Sequence, residues 1–178
     1  MSSSPQAADL WVFGYGSLMW RPGFDFLERR SARLIGAHRA LCVLSHHHRG
    51  SPERPGLVLG LDRGGSCRGI VFRIAAAKVE ATLAYLRERE QVTHVYHETT
   101  RPVDLIDEPR ERVRALCFIV DRSHAQYAGE LPLEKQLHLV RQGHGRSGAN
   151  RDYLHETVKH LEALGIRDKT LEWLLARL

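Results

Sequence analysis

The order of strand-like and helix-like segments restricts the fold of this chain more than any other feature. Apolar segments bounded by glycine and proline predict strands at residues 10–14, 33–45, 57–61, 67–74, 99–106 and 113–120. Helical spacing of apolar residues predicts helices at 75–90, 133–141, 150–164 and 169–178. Strands dominate the first two thirds and helices the last third, and the two do not alternate. The pattern therefore predicts an α+β fold.

The connections between these segments carry local signals of their own. Residues 24–29 are predicted to form a short helical piece, and residues 46–56 a surface loop, because proline and glycine are frequent there. The run Asp62-Arg63-Gly64-Gly65 predicts a hairpin turn, since tight turns between strands favour glycine. Asn150 is predicted to cap the helix that follows it, because its side chain can accept a bond from a backbone N–H.

Net charge limits the classes of partner that the chain can have. The formal charge is +5 at pH 7, and the sequence pI is near 9.4. Lysine and arginine are spread along the chain and lack the interleaved aromatic residues of a surface that binds single strands. This pattern favours a small acidic substrate over a nucleic acid. A non-catalytic module that binds anions or nucleic acid is the alternative from another functional class.

Length and cysteine usage indicate the domain organisation and the compartment. A chain of 178 residues can bury its own core, so one domain is expected over residues 10–178, after a flexible tail at 1–9. No apolar run approaches the roughly 20 residues of a membrane helix, and no membrane association is expected. The start of the chain does not resemble a secretory signal. Three dispersed cysteines are typical of reduced thiols, so we expect a cytoplasmic protein.

Residues 11–18 form a short apolar strand that runs into a turn containing two glycines. Gly14 and Gly16 permit backbone conformations and close approaches that side chains forbid. The backbone N–H groups around Tyr15 and Ser17 can then point in one direction, an arrangement that suits a carboxylate or a developing oxyanion. An ordinary turn between a strand and a loop is the equal alternative. The segment lacks the third glycine of a dinucleotide-binding turn and the Gly-Lys-Ser/Thr ending of a phosphate-binding loop.

Three consecutive histidines, His46 to His48, raise the question of a metal site. Successive residues of an extended chain point to opposite sides, so at most two of them can bind one ion. No carboxylate at helical spacing and no pair of cysteines completes the set, so no metal is expected. A metallohydrolase remains a minor alternative. The segment is otherwise a polar loop, or a rim at which His48 and Arg49 contact an anionic substrate.

One carboxylate occupies an apolar position of the helix predicted at residues 75–90. Val79, Leu83 and Leu86 form one stripe, and the next position of that stripe is Glu90. A carboxylate directed at the core has a raised pKa unless it is paired, which suits a general acid or base near neutrality. Two alternatives stay open: the helix end frays towards water, or Glu90 forms a structural ion pair with an arginine at position 73, 89 or 101.

Four segments, taken together, match a known family. Residues 15–18 read Y-G-S-L, residues 48–56 contain H-R-G and then P-G, residues 85–90 fit Y-L-x-x-R-E, and residues 145–154 contain G-R-S-G followed by Asn150, Tyr153 and Leu154. These segments, in this order and spacing, resemble the ChaC-like γ-glutamylcyclotransferases, which act on glutathione. The resemblance extends from residue 11 to about residue 165.

The resemblance implies a fold, a reaction and a set of site residues. The family fold is a small, mostly antiparallel β-barrel flanked by helices. The implied reaction is a lyase step in which a γ-glutamyl unit cyclises to 5-oxoproline and, for glutathione, releases Cys-Gly without a cofactor. The resemblance makes Glu90 the catalytic acid and base. The substrate-binding residues that it implies are Tyr15, Gly16, Ser17, Leu18, Arg49 and Tyr153.

One departure from the family pattern bears on the choice of substrate. In the animal enzymes a lysine and a glycine pair follow the catalytic glutamate, whereas Gln91-Val92-Thr93 follows Glu90 here. Because that region shapes the substrate site, a cyclotransferase for other γ-glutamyl amines or amino acids is the nearest alternative to the glutathione enzyme. Two points stay open: the oligomeric state, and whether the Tyr15–Leu18 turn holds the substrate carboxylate or the oxyanion.

Overall fold

The computed structural model describes residues 7–90 and 94–178, and its elements follow the predicted order. The first six residues of the predicted tail and the departure at Gln91-Val92-Thr93 lie outside the described residues. The strands are β1 (Leu10–Gly14), β2 (Glu28–Ser45), β3 (Gly56–Ile74), β4 (Tyr96–Leu105), β5 (Arg112–Val120), β6 (His144–Gly145) and β7 (Gly148–Ala149). The α-helices are α1 (Val79–Glu90), α2 (Leu133–Gln142), α3 (Asn150–Ala163) and α4 (Lys169–Leu175). Short 3-10 helices occupy Ser17–Met19 and Ala76–Lys78.

Five of the strands form a closed barrel in the order β1-β3-β2-β4-β5. Strand β1 pairs antiparallel with β3, and β2 pairs antiparallel with β4. Strand β1 also pairs parallel with β5, with Trp11 opposite Ala115, so the barrel is mixed. Strands β6 and β7 form a separate two-stranded sheet. The α+β class and the barrel that the family resemblance implied are both confirmed.

The chain divides into two compact units, Met1–His38 with Arg63–Ile119 and Arg39–Asp62 with Val120–Leu178. The first unit contains β1, β5 up to Ile119, and α1. Its core includes Val12, Phe13, Phe72 and Leu86, each at most 1% exposed. Apolar residues on both faces of β5 predicted a buried strand, and residues 115–118 are all buried. The division into compact units does not test the expectation of one domain over residues 10–178, which stays a prediction.

The second unit is built mainly from helices. Helix α3 contacts both α2 and α4. The buried apolar residues of these helices are Leu137, Leu139, Val140, Leu154, Val158, Leu161, Leu171 and Leu174. Of the predicted apolar positions, Leu133 is exposed, and two polar residues of α3, Asn150 and Thr157, are also buried. Within residues 7–90 and 94–178, none of the helices has the length and hydropathy that crossing a bilayer would require.

Three local predictions are wrong, and each has a physical cause. Residues 62–65 form no hairpin, since Gly64 and Gly65 adopt φ angles of +97° and +68° inside the continuous strand β3, as glycines do in β-bulges. Residues 24–29 form no helix: the chain bends at Phe24 and Leu27 and enters β2 at Glu28. Phe24 and Phe26 pack against the ring of Phe72, with ring centroids 5.5 and 5.0 Å away. The third concerns Asn150, which is the first residue of α3 and not its cap, because its side-chain amide bonds to the backbone of Leu57 instead.

Candidate active site

The turn after β1 is compact because the backbone of Gly14 lies against Leu18. A Cβ atom added at Gly14 would lie 3.0 Å from the Leu18 Cβ, so a side chain there would be crowded. The Met19 N–H donates to the Gly16 carbonyl oxygen at 2.9 Å, which closes the 3-10 helix Ser17–Met19. Gly16 has a φ of −133°, so no left-handed conformation is involved. Close approach, and not an unusual dihedral, explains the glycine at position 14.

The start of this 3-10 helix presents backbone donors. Among the described residues, the N–H groups of Ser17 and Leu18 donate to no protein acceptor. Leu18 and Tyr15 are buried, at 5% and 8% exposure, whereas Ser17 is exposed. Unpaired donors at the first turn of a helix favour a negatively charged group. The turn therefore offers N–H donors of the kind that the sequence predicted for Tyr15 to Leu18.

Glu90 ends helix α1 and is largely buried. Its side chain is 17% exposed, and Leu86 one turn earlier is fully buried. Burial raises the pKa of the Glu90 carboxyl above its ordinary value, and the positive charge of Arg89 offsets this increase only in part. A helix end frayed into water, one of the two alternatives, is therefore wrong.

Of the three arginines proposed as ion-pair partners of Glu90, only Arg89 lies within 4 Å of it among the described residues, and Arg101 does not. The Arg89 Nε lies 3.6 Å from the Glu90 Oε1, while Arg73 pairs instead with Asp9 and Glu28. A separation of 3.6 Å is beyond hydrogen-bond length, so the carboxylate feels the field of the guanidinium without a direct hydrogen bond from it. Glu90 is thus a mostly buried carboxylate whose negative charge Arg89 stabilises only in part. Such an environment suits a general base.

Arg89 links the end of α1 to the turn after β1. Its Nη2 donates to the Ser17 Oγ at 2.8 Å, and its Nη1 donates to the carbonyl oxygens of Arg21 at 2.6 Å and Pro22 at 3.1 Å. The structure therefore brings the residue before Glu90 into direct contact with the predicted substrate turn. Both elements belong to the first unit of the chain.

The second unit joins two further predicted motifs through the backbone. The N–H groups of Arg146 and Ser147 donate to the carbonyl oxygens of His47 and His48 at 2.7 and 2.9 Å. A Cβ atom at Gly56 would lie 2.3 Å from the carbonyl oxygen of Arg49, which only glycine can avoid. The H-R-G…P-G and G-R-S-G segments thus form one substructure, although about 100 residues separate them.

Arg49 and Tyr153, both predicted to bind substrate, contact each other in this substructure. The Arg49 guanidinium lies over the Tyr153 ring, 5.6 Å from its centroid, and its Nη1 donates to the Ala149 carbonyl oxygen at 3.2 Å. The Tyr153 hydroxyl oxygen accepts the Leu59 N–H at 2.9 Å. No carboxylate of the described residues lies within ion-pair distance of Arg49, which is half-buried. Arg49 is therefore a cation fixed in place by its contacts, and no carboxylate in the described part of the chain pairs with it.

The histidine run carries no metal-binding arrangement within the described part of the chain. No group of three or more histidine, cysteine or acidic side chains capable of holding an ion occurs there. His48 instead places its Nδ1 2.9 Å from the Ser147 Oγ, so its contact is with the late glycine-rich segment.

Sequence reasoning missed two important contacts. Arg89 appeared only as a possible ion-pair partner, although its position four residues after Tyr85 places both on one helix face, where the Tyr85 hydroxyl lies 3.1 Å from the Arg89 Nη1. Asn150 was identified as a hydrogen-bonding residue, but its partner is the backbone of Leu57, 93 residues away. No local signal in the sequence identifies that partner.

Comparisons with known proteins identify the family to which the chain belongs. The model of a family described as ChaC-like protein matches residues 10–178. A protein of Escherichia coli (strain K12) named glutathione-specific gamma-glutamylcyclotransferase is 34% identical, covering 98% of this chain and 75% of the relative. The human protein named glutathione-specific gamma-glutamylcyclotransferase 1 is 33% identical, covering 90% of this chain and 72% of the relative.

A solved structure shows the same fold. The crystal structure of a yeast gamma-glutamyl cyclotransferase specific to glutathione superposes with a TM-score of 0.83 at 22% identity, and the match covers 94% of both chains. With the family model matching nearly the whole length, the chain belongs to the family of ChaC-like proteins.

Proposed function

We propose that this protein is a γ-glutamylcyclotransferase that cleaves glutathione into 5-oxoproline and Cys-Gly. The observation that carries the proposal is Glu90, a mostly buried carboxyl with a raised pKa whose helical neighbour, Arg89, is bonded to the Ser17 turn. The names of the bacterial and human relatives support glutathione as the substrate.

The proposed reaction is an internal aminolysis. The α-amino group of the γ-glutamyl unit attacks its own γ-carbonyl carbon, a C–N bond forms, and the bond to the cysteine nitrogen breaks. The amine enters as an ammonium, so Glu90 first accepts a proton from it and then returns that proton to the leaving amine. The attacking nitrogen loses a second proton as it becomes the lactam N–H, and that proton passes to water. Since both reacting groups belong to one molecule, the site has chiefly to hold a ring-closing conformer and move this proton.

The turn after β1 supplies donors for the negative charge of the substrate. The N–H groups of Ser17 and Leu18, with Tyr15 and Gly16, would hold either the α-carboxylate or the oxyanion of the tetrahedral intermediate. A positioned donor to an oxyanion typically contributes about 3 kcal/mol to transition-state stabilisation. Both roles need the same donors.

Arg49 is suited to bind a carboxylate of the substrate. Its guanidinium is held by the Tyr153 ring and the Ala149 carbonyl oxygen and has no carboxylate partner among the described residues. A planar guanidinium in this state binds carboxylates well. The Tyr153 ring also helps to hold the Arg49 guanidinium, and its hydroxyl oxygen accepts the Leu59 N–H at 2.9 Å. A role of Tyr153 as a hydrogen-bond donor to the substrate, which the family resemblance implies, stays a prediction.

Incubation with reduced glutathione tests the function directly. We expect release of 5-oxoproline and Cys-Gly in equal amounts, with slower release from γ-glutamyl amino acids and γ-glutamyl amines in a matched panel. Faster release from another member of the panel would make the protein a cyclotransferase of different preference. The absence of 5-oxoproline from every member would refute the proposed reaction.

A further inference from the structure

We propose that Arg89 is a positioning residue of the reaction, which fixes the substrate turn after β1 to the end of α1 that carries Glu90. The inference rests on the proposed function, because it concerns the same site. It assigns a role to a side chain that does not itself touch the reacting atoms.

The guanidinium of Arg89 divides its donors between two parts of the turn. The Nη2 donates to the Ser17 Oγ at 2.8 Å, at the start of the 3-10 helix. The Nη1 donates to the carbonyl oxygens of Arg21 and Pro22, at 2.6 and 3.1 Å, beyond the end of that helix. One planar group thus bonds both sides of the turn, and it restricts the turn as a single contact could not.

The helix side of this link is also fixed. The Tyr85 hydroxyl lies 3.1 Å from the Arg89 Nη1, and the Tyr85 ring packs edge-on against Phe24, with centroids 6.3 Å apart. Gly23, with a φ of +75°, lies so close to Tyr85 that an added Cβ would approach its hydroxyl to 2.1 Å. These contacts leave the Arg89 side chain only 21% exposed, so its position is set by packing as well as by hydrogen bonds.

The positive charge of Arg89 acts mainly on the carboxylate of Glu90. The hydrogen-bond acceptors of Arg89 are hydroxyl and carbonyl oxygens, all neutral, and the carboxylate within 4 Å of it among the described residues is that of Glu90. The field of the guanidinium lowers the pKa of Glu90 and opposes the increase caused by burial. The link therefore has two separable effects, one on geometry and one on the charge state of the base.

Arg87 provides a matched control on the same helix. Its Nε and Nη2 donate to the two carboxylate oxygens of Glu98, each at 2.9 Å, so its partner is on β4 and not on the turn. Its side chain is 51% exposed. A glutamine at position 87 removes one guanidinium, as at position 89, without touching the substrate turn or Glu90.

The test measures kcat, KM and the pH dependence of kcat/KM for glutathione in Arg89→Gln, Arg89→Lys and Arg87→Gln. We expect Arg89→Gln to lower kcat about 100-fold, the size of effect that a displacement of about 1 Å produces. Loss of the Arg89 charge raises the pKa of Glu90. Because Glu90 must be ionised to accept a proton, the acid limb of kcat/KM moves to higher pH. Arg89→Lys keeps the positive charge but loses the planar guanidinium that bonds both sides of the turn, so kcat should fall at least about tenfold. Because the charge is kept, the acid limb should stay near its wild-type position. Arg87→Gln should stay within about twofold of wild type, as exposed substitutions usually do.

The outcomes separate this inference from the function on which it rests. If the wild type is active and Arg89→Gln keeps kcat within about threefold, the positioning role is wrong and the function stands. If the acid limb does not move in Arg89→Gln, the effect of the Arg89 charge on Glu90 is wrong. If the wild type releases no 5-oxoproline, both proposals fall. Should Arg89→Gln not fold, as judged by circular dichroism, Arg89→Lys decides: wild-type kcat in that variant overturns the inference.

Discussion

Replacing Asn150 by alanine should destabilise the second unit of the chain strongly. Asn150 is fully buried, its Oδ1 accepts the Leu57 N–H at 2.7 Å, and its Nδ2 donates to the Leu57 carbonyl oxygen at 2.8 Å. Leu57 is also fully buried. Asn150→Ala therefore removes one side chain and leaves two buried backbone groups of Leu57 without partners.

The size of the effect follows from those two groups. A buried donor or acceptor left unsatisfied costs about 1–3 kcal/mol, so two of them cost about 2–6 kcal/mol, and water entering the space left by the amide reduces the upper value. We therefore expect Asn150→Ala to lower the free energy of unfolding by about 3 kcal/mol. Asn150→Asp keeps the acceptor for the Leu57 N–H and places an oxygen where the donor was, so it should gain stability as pH falls and the carboxyl protonates to donate again.

Denaturant unfolding followed by circular dichroism measures this effect, with equal m-values showing that the comparison is valid. Arg151→Ala is the matched control, because Arg151 is the next residue of α3 and is exposed. The control should change stability by less than about 0.5 kcal/mol. A change of that same small size in Asn150→Ala would refute the reasoning from the paired backbone groups.

Two further predictions concern buried groups of the barrel strands and their neighbours. Tyr127→Phe should lower the free energy of unfolding by about 1.5–3 kcal/mol. The reason is that the Tyr127 hydroxyl donates at 2.8 Å to the carboxylate of Asp62, which is 1% exposed. An unchanged denaturation midpoint would contradict this prediction. Cys42 and Cys117 should not react with a disulfide reagent in the native protein at pH 8, because burial raises the pKa of each thiol to about 12. Release of the coloured thiolate measures this, and rapid labelling of either thiol without unfolding would contradict the prediction.

The strands and helices could be predicted because their apolar spacing is local, but barrel closure could not. Closure joins β1 to β5, with Trp11 opposite Ala115, and no pattern within either strand specifies that partner. Gly64 and Gly65 illustrate a different limit. A glycine pair with positive φ fits a hairpin turn and a bulge equally well, so only the tertiary structure distinguishes the two.

In the candidate site, too, local features could be predicted from the sequence and tertiary contacts could not. The mostly buried position of Glu90 agrees with its spacing of four residues from the buried Leu86. The predicted stripe is correct only in part, since Val79 and Leu83 are half-buried while Thr82, outside the stripe, is buried. The contacts of Arg89 with Ser17 could not follow, because they depend on where a turn 72 residues earlier lies in the folded barrel. Sequence therefore identified Glu90 as the candidate base, an assignment that stays a prediction, and the structure added the contacts of its neighbour Arg89.

The most direct test of the account compares 5-oxoproline release from glutathione by the wild type and by Glu90→Gln. The amide keeps the shape of the side chain and cannot accept the proton, so we expect the rate to fall about 10²- to 10⁴-fold. Since burial raises the pKa of Glu90, the neutral amide should fold at least as stably. Glu88→Gln, an exposed position on the same helix, should retain the wild-type rate. Near-normal turnover by a folded Glu90→Gln protein would contradict the assignment of Glu90 as the catalytic base.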